Sequence, residues 1–251
     1  MHSVDELFAL VLGEQDDDAR WSAIRELHAL GTRDVFERAT ALCASSRVSD
    51  RIAGAEILGQ LSEFAAHATE TLTGMLEDAD PMVVEAAVHA LGQRQDAATI
   101  ETLSRVESHP EANVRWALAT ALEDLIADER AERVLLKLMK DDDNSVRDHA
   151  TFAIGSLSDH DSPRIRAALA ERLSDKDRSV SNEAALGLAR RRDARAIAYI
   201  AIAVEASDGD IEEAADEITS AEMLNELLKA RDAAGSVRGL ELLIQRCRAR
   251  L

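Results

Sequence analysis

Seven stretches of this sequence are variants of one ten-residue phrase. They are "ARWSAIRELH" from Ala19, "DRIAGAEILG" from Asp50, "VVEAAVHALG" from Val83, "VRWALATALE" from Val114, "VRDHATFAIG" from Val146, "VSNEAALGLA" from Val180 and "IEEAADEITS" from Ile211. Successive starts lie 31, 33, 31, 32, 34 and 31 residues apart. So regular a period means a stack of similar units, because one unit alone cannot bury its apolar face. Small or apolar residues recur at the first, fifth and eighth places, as in Val146, Ala150 and Ala153, which is one stripe along a helix. A glycine usually takes the tenth place (Gly59, Gly92, Gly155) and reads as a left-handed helix stop.

A second apolar run follows each phrase: "AATIETLSRV" from Ala97, "AERVLLKLM" from Ala131, "PRIRAALAERL" from Pro163 and "ARAIAYIAIAV" from Ala194. Each unit is therefore a helix pair, and Pro163 suits a first helical turn, where no N–H partner is needed. Composition agrees, since 46% of residues are hydrophobic but only 3% are aromatic, with Ala and Leu dominating. The expected fold is all-α, an α-α superhelix (solenoid) of about seven helix pairs. Three segments are expected: an N-terminal capping helix over 1–15, the repeats over 16–235 and a C-terminal capping helix over 236–251. "SVDELFALVLG" from Ser3 opens with the Ser-x-x-Glu form of a capping box. Arg246, Arg248 and Arg250 stand where cations favour a helix C-terminus.

The order Asp or Asn, Val-Arg, Ala, Ala-Leu-Gly, as in "NSVRDHATFAIG" and "PMVVEAAVHALG", resembles the HEAT and HEAT-like repeats, including those of phycobilin lyase-type proteins. Some copies depart from the pattern: Val84 and Ser181 replace the Arg, and Glu123 and Ala189 replace the Gly. The resemblance implies that the first helix of each pair lies on the convex side. The second would line a concave side that holds a partner. It also implies that the recurrent Arg20, Arg51, Arg115 and Arg147 pair with acids of adjacent units and set the packing. Trp21 and Trp116, one place later, read as convex-side packing.

Ion and catalytic chemistry find little support. Asp141, Asp143 and Ser145 begin like a calcium loop, but its sixth and twelfth places hold Val146 and Phe152 instead of Gly and Glu. A helix cap explains them, with Asp18, Asp80, Asn113 and Asp177 standing at comparable places. The seven histidines form no zinc motif with Glu on a helix, and the lone His160-Asp161 dipeptide is too common to mark a hydrolase. HEAT-like iron hydroxylases carry His-Glu dipeptides, of which there are none. No Gly-rich phosphate loop is seen, and the expectation is a chain without catalytic residues, cofactor or metal. Cys43 and Cys247 lack ligand spacing and read as small helix residues.

A formal charge of -19 argues against nucleic acid, and the HEAT-like DNA glycosylases, with their basic channel and aromatics, fit poorly. Residues 1–125 carry 9 basic and 23 acidic groups, so a basic partner should meet that half. The N-terminus lacks the basic start of a signal peptide, and the longest apolar run, Ala196 to Val204, is too short to span a bilayer. A cytoplasmic protein is expected. The leading expectation is a non-catalytic scaffold that holds a protein or peptide on the second helices. Its contacts would be Arg133, Lys137, Arg166, Arg195 and Tyr199, from the cation-rich later repeats. The alternatives are a tetrapyrrole-handling protein like the phycobilin lyases, or an acidic inhibitor or immunity protein that covers a basic partner.

Overall fold

Asp, Ser and Thr side chains set where many of the helices begin. A computed structural model describes residues 2–13, 17–206, 209–220, 223–234 and 237–250, and the described residues form sixteen α-helices with 3-10 turns and no strand. They fall into two compact units, residues 1–125 and 126–251. The expected segment boundaries at 15/16 and 235/236 fall outside the described residues.

The first unit contains α1 (Val4–Leu12), α2 (Asp17–Leu30), α3 (Arg33–Cys43), α4 (Val48–Leu58), α5 (Ala65–Met75), α6 (Pro81–Gly92), α7 (Ile100–Leu103) and α8 (Ala112–Leu122). The second contains α9 (Glu129–Leu138), α10 (Asn144–Phe152), α11 (Pro163–Arg172), α12 (Arg178–Arg190), α13 (Ile197–Glu205), α14 (Glu212–Ile218), α15 (Leu224–Ala234) and α16 (Arg238–Ala249). The seven repeated phrases form α2, α4, α6 and α8, then α10, α12 and α14. The odd-numbered helices between them are the second helices.

The caps follow the sequence at most places. Asp143 accepts from the backbone N–H groups of Ser145 (2.8 Å) and Val146 (3.2 Å), and Asp141 accepts from that of Asp143 (2.9 Å). Asp80, Asp177 and Ser162 cap α6, α12 and α11 in the same way, and Ser3 and Glu6 complete the capping box of α1. Two expectations fail. Asn113 lies inside α8, whose N-cap is Glu111 without a side-chain bond, and Asp18 lies inside α2.

The stripe residues are buried, with Val146, Ala150 and Ala153 all at 0% exposure. The arginine row is a packing ladder. Arg51, Arg115 and Arg147 each donate to the carbonyls five and six residues before them. Arg51 also reaches Asp78 (2.8 and 2.9 Å), and Arg147 reaches Asp175 (3.2 Å), each in the loop that leads to the next first helix. At Ser181, which stands in place of the Arg, the hydroxyl donates to the carbonyls of Asp175 and Asp177 instead.

The tenth-place glycines overturn the expected left-handed stop. Gly59 has φ -53°, Gly92 lies within α6 and Gly155 lies in a π-helical turn, Ala153–Leu157. Among the described glycines only Gly31 has a positive φ, 54°. The tenth place needs glycine because the next first helix is so near: a Cβ on Gly92 would stand 2.6 Å from that of Ala121. At Gly155 it would meet the Glu183 carbonyl at 2.7 Å. Within each unit the first helices are thus packed backbone to backbone.

Candidate partner-binding groove

The five residues expected to make contacts all lie in the second unit, on α9, on α11, in the turn that opens α13 and on α13 itself. Arg133 and Lys137 are exposed, one turn apart on α9, opposite its buried Val134, Leu135 and Leu138. Arg166 is held by Asp161 (2.7 Å) and Asp193 (3.4 Å), and Arg195 binds the same Asp193 (2.5 Å). These pairs raise both guanidinium pKa values, Arg166 chiefly through Asp161 and Arg195 through Asp193. Tyr199 donates its hydroxyl to Asn182 of α12 (2.7 Å), so it ties second helix to first. Nearby, buried Arg191 donates to the carbonyls of Ile154, Ser158, His160 and Gly187. His160 and Arg164 contact the buried Glu132 carboxylate. Arg164, Arg166 and Arg191 thus join neighbouring segments of the stack through acids and carbonyls.

The first unit offers a different feature. A cavity of about 430 Å³ opens over α4 and is walled by α2 and α6, three consecutive first helices. Its lining includes Trp21, Ile24, Arg25 and His28 from α2, Glu56 from α4, and Ala86, His89 and Ala90 from α6, with Gln60 and Gln93 just beyond their helices. The cavity is thus bounded by neighbouring first helices on both sides. The glycines at the tenth place let α4, α6 and α8 approach closely in this layer. The recess thus lies on the layer of first helices, and Trp21, expected to pack, lines it. Trp21 is 42% exposed, and the Arg20 guanidinium lies 5.5 Å from its ring centroid. Trp116, at the same place of its repeat in α8, meets His89 edge-on with ring centroids 5.9 Å apart.

The charges of the groove are largely settled internally. Glu56 is ion-paired with Arg20, while burial pushes its carboxyl pKa up against that pairing. His28 shares its Nε2 with the Glu56 carbonyl (3.1 Å), and burial lowers its pKa, so the imidazole is neutral near pH 7. Arg25 is exposed and makes no hydrogen bond or ion pair with any described residue. Gln60 and Gln93 extend the rim with amide groups 3.4 Å apart.

Among the described residues no three His, Cys, Asp or Glu gather as a metal site. Nor is any described helix long and apolar enough to cross a membrane. The groove had a trace in the sequence. The third and seventh places of the phrase hold Trp21, Ile52, Glu85 and Trp116, and Arg25, Glu56, His89 and Thr120, whereas the packing places repeat small apolar residues. Dissimilar side chains on a repeated frame mark the face that does not pack.

Comparison with known proteins gives the same architecture. Escherichia coli (strain K12) protein YibA is 31% identical over 226 residues, covering 85% of this chain and 80% of that one. The uncharacterized phycocyanin operon protein Z of Pseudanabaena tenuis is 30% identical over 168 residues, covering 61% of this chain and 79% of its own. The X-ray structure of YibA superposes with a TM-score of 0.75 at 28% identity, over 98% of this chain and 93% of that one. A model of HEAT repeats matches residues 45–123, 102–162 and 133–219, so most of the chain is accounted for by one kind of unit, and it belongs to the HEAT repeat family.

Proposed function

We propose that this protein is a non-catalytic scaffold that holds a protein or peptide partner, and that the partner lies on the first-helix face of the first unit. The observation that carries this reading is the cavity over α4, shaped by three successive repeats and edged by exposed Trp21. Rigid helices present its side chains at fixed spacing, which lowers the ordering cost of binding an extended segment. The surplus of acids in residues 1–125 favours a partner that is basic overall.

Affinity capture from the native organism tests the reading with two variants. Trp21→Ala combined with Gln93→Ala should abolish recovery of the partner. The Arg133, Lys137 and Arg195 triple alanine variant should retain it. The opposite result would return the partner to the second helices of the later repeats, and equal recovery by both would defeat a localised groove. Similarity to a phycocyanin operon protein supports a second reading, in which the groove handles a tetrapyrrole. A saturable absorbance change on titration with a bilin would favour it over a polypeptide partner.

A further inference from the structure

We infer that the cavity over α4 seats the C-terminal residue of the partner polypeptide, an aromatic ring lying against Trp21 and its terminal carboxylate meeting Arg25. The inference rests on the reading of this face as the partner surface and specifies what enters it.

Charge and volume lead to this occupant. In a unit with 23 acids and 9 arginines, Arg25 and Arg105 are the two arginines that make no hydrogen bond or ion pair with any described residue, and Arg25 lines the cavity. Of the other ionisable groups in the lining, Glu56 is paired with Arg20, burial favours the neutral form of His28, and His89 packs edge-on against Trp116. Arg25 is therefore the arginine of the lining left for a ligand, a forked donor suited to one carboxylate. A run of acidic side chains would meet repulsion from the surrounding unit, whereas a single terminal carboxylate on a basic partner would not.

The floor and wall are apolar, from Ile24, Ala86 and Ala90, and Trp21 adds an aromatic surface for offset or edge stacking. A volume of about 430 Å³ admits one large side chain with its adjoining backbone and excludes a folded element. Ring and carboxylate must share that small space. A chain-terminal aromatic residue carries both on one unit, while an internal residue carries one or the other. Gln60 and Gln93 at the rim supply donors and acceptors for the peptide groups that lead away.

The test uses the full chain with Trp116→Phe, which leaves Trp21 as the sole indole reporter. Its fluorescence is titrated with three synthetic Gly/Ser peptides: one ending in phenylalanine as the free acid, the same peptide as its C-terminal amide, and one ending in alanine as the free acid. The phenylalanine acid should give a saturable change, with the other two weaker by about tenfold or more. Arg25→Ala should make acid and amide bind alike, and circular dichroism should show an unchanged fold, because Arg25 touches no described polar group. Equal binding of acid and amide, a preference that survives Arg25→Ala, or no saturable signal would overturn the inference. The two levels separate cleanly. If the Trp21 variant loses the captured partner while acid and amide bind alike, the groove stands and the terminal carboxylate falls. If capture survives and neither peptide binds, both fall.

Discussion

Gly92, Arg147 and His28 show how much single positions weigh in a stack of near-identical units. A Cβ on Gly92 would be forced within 2.6 Å of Ala121, so Gly92→Ala should destabilise by about 1–3 kcal/mol, through overpacking between backbones that cannot yield. Gly74 is the control: nothing lies within 4 Å of a Cβ there, and Gly74→Ala should be neutral or stabilising by up to about 1 kcal/mol in denaturant melts. Arg147 and Asp175 are each 5% exposed, and Arg147→Ala takes from the buried carboxylate one of its two arginines, leaving Arg172 at 3.1 Å, so it should cost about 2 kcal/mol. Burial pushes the Asp175 carboxyl up, but the Asp177 N–H and Arg147 outweigh it and hold the pKa below the ordinary value. Its stabilising contribution is therefore present at neutral pH and lost as pH falls through that lowered value. His28 works in the same direction by a different route. Its pKa is lowered by burial, so below about pH 6.5 the unfolded chain takes up a proton that the folded chain does not, and stability falls. The melting temperature should drop between pH 7.5 and pH 5.5, and His28→Gln should flatten that slope.

At the scale of the helix, start sites and packing stripes were legible because they depend on neighbours in sequence. Asp143, three residues before Val146, caps α10 as its spacing predicts, and Asp143→Ala should cost about 1 kcal/mol. Asn113, which looks equivalent in sequence, sits inside α8, and Asn113→Ala should change little in the same thermal melts. What could not be read was which helix layer carries a recess. That depends on how near successive units approach, and the close contacts of Gly92 with Ala121 and of Gly155 with Glu183 join residues about thirty positions apart. The surroundings of the cations and of Trp21 were equally hidden. Arg166 and Arg195, from a stretch of mixed charge in the sequence, both pair with Asp193, while Trp21, taken as packing, edges a cavity. Exchanging alanine into the groove should therefore affect capture more than exchanging it into the second helices.

For the whole molecule, the excess of acids is a property no single contact relieves. With a net charge of -19 the folded chain repels itself, so raising salt from 0.05 to 0.5 M should raise the melting temperature by a few degrees. A constant melting temperature would mean that ion pairs such as Arg246–Glu212 and Arg250–Asp216 lose as much to screening as the repulsion does. The same charge should make association with a basic partner faster at low salt, which stopped-flow measurements can check. The sequence by itself determined the unit, its period, its capping and its buried stripe, since each is a local pattern that one helix pair must satisfy before it can stack. Only the tertiary structure decided which face is recessed, which arginines are already occupied and why glycine fills the tenth place. Those outcomes depend on distances between repeats, and a period along the chain does not encode how closely one repeat settles against the next.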